Sequence, residues 1–151
     1  MSLFWINGGK MIKSKGWDWK IVKDDIDCPW KIPSVESYYL LNRWENLNFK
    51  NFLDLGCGLG RHTVLFAENG FNVSGFDISK EGIKKTKEWL KNLDLKADLK
   101  VGDMLELPYE SESFDCILCR NVISHQDTEG VKQIIKELYR VLKNNGECYL
   151  T

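Results

Sequence analysis

The sequence predicts an α/β fold: a doubly wound, mostly parallel sheet with helices on both faces. Three observations predict it. From Phe49 onward, apolar runs of strand length alternate with helical patterns, and that alternation implies parallel pairing through right-handed crossovers. The first run, Phe52-Leu53-Asp54-Leu55, passes directly into Gly56-Cys57-Gly58-Leu59-Gly60. Glycines at alternate positions let the backbone turn tightly and admit a ligand where a Cβ would clash. Polar residues then follow the ends of the strands, where open α/β sheets bind their ligands.

Residues 1–34 show no period and are read as a separate segment. They hold Trp5, Trp17, Trp19 and Trp30, with Pro29 and Pro33. That is too aromatic for a plain disordered tail, so the segment is expected to pack on the domain or on a ligand. The domain itself is read as 35–151. A helix is expected from Ser34 to Trp44, where Tyr38, Leu41 and Trp44 recur at spacing three beside Leu40. The strand over 52–55 and its glycine turn lead into a helix over 61–68, stopped by Asn69-Gly70. Asn72 to Phe76 reads as a second strand. Ser79 caps a helix to about Asn92, with Ile83, Trp89, Leu90 and Leu93 facing inward. Its run of lysines reads as a solvated face.

Asp98 to Val101 is a third strand. Phe114 to Cys119 is a fourth, nearly all apolar as a strand buried on both faces must be. Thr128 to Leu142 carries the clearest helical period, through Val131, Ile134, Ile135, Leu138, Val141 and Leu142. Asn144-Asn145-Gly146 is expected to end it, and Glu147 to Thr151 to begin a fifth strand.

Composition narrows the function. The 151 residues suit one domain with a real core. A net charge of −1 gives no electrostatic footprint for nucleic acid or an anionic membrane. No apolar run approaches the roughly 18 residues of a membrane span, and the N-terminus lacks a signal-peptide layout. The expected location is the cytoplasm and the expected partner a small molecule. The cysteines are odd in number and scattered, which favours a reducing compartment. Cys116 and Cys119 have C-x-x-C spacing, but residues three apart on a strand point to opposite faces. They are read as core residues, and no metal ligand cluster is expected.

The strand ends supply the candidate site. Asp77 stands about 20 residues beyond Gly56, the offset a βαβ unit imposes, and a carboxylate there can accept both hydroxyls of a ribose. Asp103 can accept from an exocyclic amine such as adenine's, and Met104 can lie on the adenine face. After the strand over 114–119 come Arg120, Asn121 and His125.

Asp54-Leu55-Gly56-Cys57-Gly58-Leu59-Gly60 resembles the D-x-G-x-G-x-G signature of class I S-adenosylmethionine-dependent methyltransferases. A dinucleotide fingerprint would need its third glycine at position 61, which is Arg. Phe76-Asp77-Ile78-Ser79 resembles the family's acidic motif, and Gly102-Asp103-Met104 its adenine loop. Leu107-Pro108-Tyr109-Glu110-Ser111-Glu112-Ser113-Phe114-Asp115-Cys116-Ile117 resembles the approach to its fourth strand. Arg140-Val141-Leu142-Lys143-Asn144-Asn145-Gly146 resembles the turn before its fifth, with Asn-Asn for the usual Pro-Gly. The likeness covers about 35 to 151 and is nearest the small-molecule type 11 group.

The resemblance implies a Rossmann-like fold, with about five of the family's seven strands present, and S-adenosylmethionine as methyl donor, leaving S-adenosylhomocysteine. It implies cofactor contacts from Asp54, Gly56, Gly58, Gly60, Asp77, Ile78, Asp103, Met104 and Arg120. Arg120 and Asn121 would line the channel toward the substrate. His125 is the candidate base for a hydroxyl or amine, and His62 is read as exposed or packed without a role. The N-terminal aromatics would form a lid, or an apolar wall around the sulfonium, joined by Tyr38 and Tyr39.

The expected activity is in-line methyl transfer to a small acceptor. The alternatives are a non-catalytic or truncated cofactor-binding module and, behind it, a nicotinamide oxidoreductase. The fifth strand is expected to leave an open edge, so the chain is read as a fragment or as a homo-oligomer paired through that edge.

Overall fold

The computed structural model describes residues 5–7, 10–12, 16–22 and 28–151. Two short strands, β1 (Trp5–Asn7) and β2 (Lys10–Ile12), pair antiparallel near the N-terminus. Three residues each are too few for a periodic signal, which is why this hairpin is absent from the sequence pattern. The next elements are α1 (Val35–Asn46), β3 (Asn51–Leu55), α2 (Arg61–Glu68), β4 (Asn72–Asp77) and α3 (Lys80–Asn92). They are followed by β5 (Asp98–Val101), β6 (Phe114–Cys119), α4 (Thr128–Val141) and β7 (Leu142–Leu150).

The main sheet is parallel throughout, in the order β5-β4-β3-β6-β7. The chain steps outward from β3 to β5, then returns to the other side of β3 with β6. Strand order therefore reverses between β3 and β6, which opens a crevice at their carboxyl ends.

Alternate residues of the central strands feed two cores. Leu53, Leu55, Ile117 and Cys119 face α4 with Ile134, Leu138 and Val141. Phe52, Cys116 and Leu118 face α1 and α2 with Leu41, Trp44 and Phe66. Cys116 and Cys119 thus lie on opposite faces, as their spacing requires. In the second core Phe52 and Phe66 stack at 3.8 Å, and Phe71 meets Phe66 edge-on at 5.1 Å. Such pairs contribute about 0.5–1.5 kcal/mol each beyond the area they bury. Trp44 is fully buried among them. Its Nε1 donates to Glu147 Oε2 at 2.9 Å, and Arg43 Nε donates to the same oxygen at 2.8 Å. These bonds fasten α1 to β7.

Several inward-facing assignments change. On α1 the buried positions are Ser37, Leu40, Leu41 and Trp44, while Tyr38 is exposed. On α3 they are Gly82, Ile83, Thr86 and Leu90, and Leu93 is exposed. Ile135 on α4 also faces out.

The largest change is at β7. The strand begins at Leu142, directly after α4, and Asn144-Asn145-Gly146 lies inside it. Phe114 pairs with Leu142 but Cys116 pairs with Glu147, so residues 143–146 bulge from the ladder. Asn145 takes φ 64° at the bulge. The turn chemistry is as expected; its place within a strand is not. Among the described residues no strand lies on the outer side of β7, and no helix is long and apolar enough to cross a membrane.

Candidate functional site

The turn after β3 is built from left-handed backbone. Gly56, Gly58 and Gly60 have φ of 77°, 56° and 85°, a region in which a Cβ is strained. Gly56 N–H donates to Phe76 O at 2.7 Å, and Gly60 N–H to Cys57 O at 2.8 Å. The turn is thereby pinned to the tip of β4 and closed on itself before α2 begins.

Asp77 ends β4 and is 8% exposed. Its Oδ2 accepts from Gly58 N–H at 2.8 Å and its Oδ1 from Ser79 N–H at 2.7 Å. The carboxylate therefore braces both the glycine turn and the start of α3. Each oxygen keeps a second lone pair for a ligand. Burial raises its pKa against these two bonds.

Asp54 is 2% exposed and accepts from Thr63 Oγ1 at 2.7 Å. Burial, with a smaller contribution from the Asp77 charge, pushes its carboxyl up to about 6 despite the Thr63 bond. Asp103, just past β5, accepts from Leu105 N–H at 3.0 Å, and Met104 beside it is 8% exposed.

These groups line one cleft of about 280 Å³ at the strand tips. Asp54, Gly56, Gly58, Asp77, Ile78, Asp103, Met104, Arg120 and Asn121 all border it. Asn121 holds φ 57°, its N–H donating to Thr151 O at 3.1 Å. Gly60 is not on the wall: a Cβ there would meet Thr86 Cγ2 at 2.4 Å, so Gly60 serves the packing of α2 on α3. Tyr38 and Tyr39 also lie off the wall, exposed on α1, because the helix turns Leu40 and Leu41 into the core instead. The expected base, the imidazole of His125, lies outside the described side chains, although the 3-10 turn Ile123–His125 borders the cleft through Ser124.

The cleft gains residues that the sequence did not assign. Arg61 and His62 open α2 and line the wall. Of the two states expected for it, His62 takes the packed one: it is buried, and its Nε2 accepts from Ser34 N–H at 3.3 Å. Burial first, then the charges of Arg61 and Arg120, hold its pKa down at about 3. The available signal was position: a helix that springs from the ligand turn aims its first turn at the ligand.

Trp17, Trp19 and Trp30 form the outer wall, with centroids 5.6–6.3 Å apart. Trp19 rests on the glycine turn. A Cβ on Gly58 would meet its Cζ2 at 2.5 Å, and one on Gly82 would meet Gly58 O at 2.7 Å. Lys85 Nζ donates to Trp19 O at 3.1 Å and fastens this segment to α3.

Residues 52–146 match the sequence pattern of a family described as a methyltransferase domain. The chain is 31% identical over 119 residues to a demethylmenaquinone methyltransferase of Lactobacillus johnsonii, covering 70% of this chain and 48% of that one. It is 38% identical over 96 residues to norajmaline N-methyltransferase of Rauvolfia serpentina, covering 61% and 32%. A solved SAM-dependent methyltransferase of Methanosarcina mazei superposes with TM-score 0.63 at 33% identity, covering 66% of this chain and 50% of that one. The chain spans about half the length, or less, of these relatives. With the Rossmann-like sheet, the glycine turn and the strand-tip carboxylates in place, the chain belongs to the class I SAM-dependent methyltransferase family.

Proposed function

We propose that the cleft binds S-adenosylmethionine and presents its methyl group to a small-molecule acceptor. The observation that carries this reading is Asp77. Its carboxylate is held by two backbone N–H groups, borders the cleft and retains acceptor capacity suited to two ribose hydroxyls. Asp54 stands where a ligand's ammonium would relieve its burial, and Asp103 with Met104 and Ile78 would receive the adenine. Gly56 and Gly58 let the backbone approach the ligand. When bound, the cofactor supplies a methyl group already activated on sulfur, so the chain's task is to orient the acceptor in line and exclude water. Asn121 faces the acceptor, and Trp17, Trp19 and Trp30 of the N-terminal segment act as the lid. His125 is the proposed base where the acceptor must lose a proton.

The test is S-adenosylhomocysteine binding by calorimetry, with NADH as control. Hydrogen bonds to a charged partner contribute about 1.5–3 kcal/mol each, so Asp77→Ala should weaken binding by about a hundredfold or more. Well-folded protein that ignores S-adenosylhomocysteine, or prefers NADH, refutes the reading. The cytoplasm is the proposed location, consistent with five free cysteines. Pairing of a second copy along β7 is the proposed assembly, and a strict monomer in light scattering at high concentration rules it out.

A further inference from the structure

The charges of the cleft are sorted. Asp54, Asp77 and Asp103 sit on its floor, each more than nine-tenths buried. The two guanidiniums that border it, Arg61 and Arg120, stand at the start of α2 and directly after β6. Each has five donors to satisfy, and the described residues offer them few acceptors. Arg61 Nη1 donates to Ile32 O at 3.3 Å. Arg120 Nη2 lies 3.5 Å from Glu36, a carboxylate itself 45% exposed. The guanidinium carbon of Arg61 also lies 5.7 Å from the Trp30 ring, against which Trp17 packs at 5.9 Å. Both arginines act on the same buried imidazole, that of His62, whose Nε2 is occupied by Ser34 N–H. His62 therefore stays neutral and adds no further positive charge. Among the described residues this end of the cleft is cationic, aromatic and short of hydrogen-bond acceptors, although the charges of Asp54 and Glu36 act on Arg61.

We propose that Arg61 and Arg120 form an anion subsite, so that the methyl acceptor carries a carboxylate on a planar apolar body lying along Trp17 and Trp30. Guanidiniums recognise carboxylates with paired, charge-assisted bonds and stack on aromatic faces, so both features of the wall suit one ligand. The inference rests on the cofactor reading above and moves Arg120 from the cofactor to the acceptor. The carboxylate of the cofactor's own amino-acid end is the competing source of the anion.

The probes are matched pairs: 4-hydroxybenzoate with 4-hydroxybenzamide, and indole-3-acetate with indole-3-acetamide. Binding is read by calorimetry with and without S-adenosylhomocysteine. Each anion should bind at least about tenfold tighter than its amide, as expected for one charge-assisted contact. R61Q and R120Q should each reduce that preference severalfold or abolish it, with S-adenosylhomocysteine affinity within about twofold of wild type. Equal binding of anion and amide in both pairs overturns the proposal. So does a loss of S-adenosylhomocysteine affinity in R61Q and R120Q that spares 5′-methylthioadenosine, which assigns the guanidiniums to the cofactor. The wild-type comparison stands if a variant does not fold. Protein that binds the anions but not S-adenosylhomocysteine keeps the subsite and refutes the cofactor reading instead.

Discussion

Replacing Asp54 by Asn should make the protein more stable at neutral pH and leave it nearly unchanged in acid. Burial, and to a lesser extent the Asp77 charge, raise the Asp54 carboxyl from 3.8 to about 6. Between those values the folded protein holds a proton that the unfolded chain has released. The favourable contribution is therefore complete below 3.8 and is lost as pH rises through about 6. A raise of this size corresponds to about 3 kcal/mol at 1.36 kcal/mol per unit. Asparagine resembles the protonated form and can still accept from Thr63 Oγ1 through its own amide oxygen. The variant should match wild type near pH 3.5 and exceed it by up to about 3 kcal/mol above pH 7. Urea unfolding followed by tryptophan fluorescence from pH 3.5 to 7.5 measures the difference, in which carboxylates not coupled to Asp54 cancel. A difference that stays flat across the range refutes the argument that burial of Asp54 governs its ionisation. The stabilised variant should also bind S-adenosylhomocysteine more weakly, since the carboxylate that costs stability is the one proposed to hold the ammonium.

His62 should show the opposite sign. Burial lowers its pKa from 6.5 to about 3, so its contribution is present above 6.5 and is lost as pH falls toward 3. Urea titrations of His62→Gln should show a shallower acid decline, by up to about 1.4 kcal/mol per pH unit; an unchanged slope removes the claim. Gly82→Ala should destabilise by about 1–3 kcal/mol although alanine is the better helix former, because its Cβ would press on Gly58 O at 2.7 Å. A thermal melt as high as wild type would mean the glycine turn yields at no cost.

Legibility in the sequence followed the range of the forces involved. The strands β3, β5 and β6 and the helix α2 were readable to within a residue, because period and turn chemistry are local. The cleft residues Asp54, Gly56, Gly58, Asp77, Asp103 and Met104 were readable for the same reason, since each stands at or just beyond the carboxyl end of a strand. Tyr38 and Tyr39 were not. The spacing of Tyr38, Leu41 and Trp44 admits two faces of α1, and the choice was made by Trp44, which must enter the core to reach Phe66 and Glu147. The start of β7 was hidden because a strand with a four-residue bulge reads as a turn. The tryptophan wall lay in a segment without period. Its position depends on contacts with Gly58, Gly82 and Lys85 at distant points in the sequence.

The floor of the cleft is poised for a cation before any ligand arrives. Asp54 and Asp77 repel each other across a low-dielectric site, and among the described residues their ionised forms are favoured by Thr63, Gly58 N–H, Ser79 N–H and, for Asp54, the smaller effect of the Arg61 charge. A ligand ammonium beside Asp54 would favour its charged form and lower its pKa. At pH 6 the group is near half-protonated. Binding of S-adenosylhomocysteine there should release up to about half a proton per molecule, falling to nearly none at pH 8. Calorimetry in two buffers of different ionisation enthalpy reads that number directly. Release at pH 6 that Asp54→Asn abolishes would place the ammonium against Asp54. Tight binding with no proton release at pH 6 would mean the amino-acid end of the ligand lies elsewhere, and the sorted charges of the cleft would then need a different explanation.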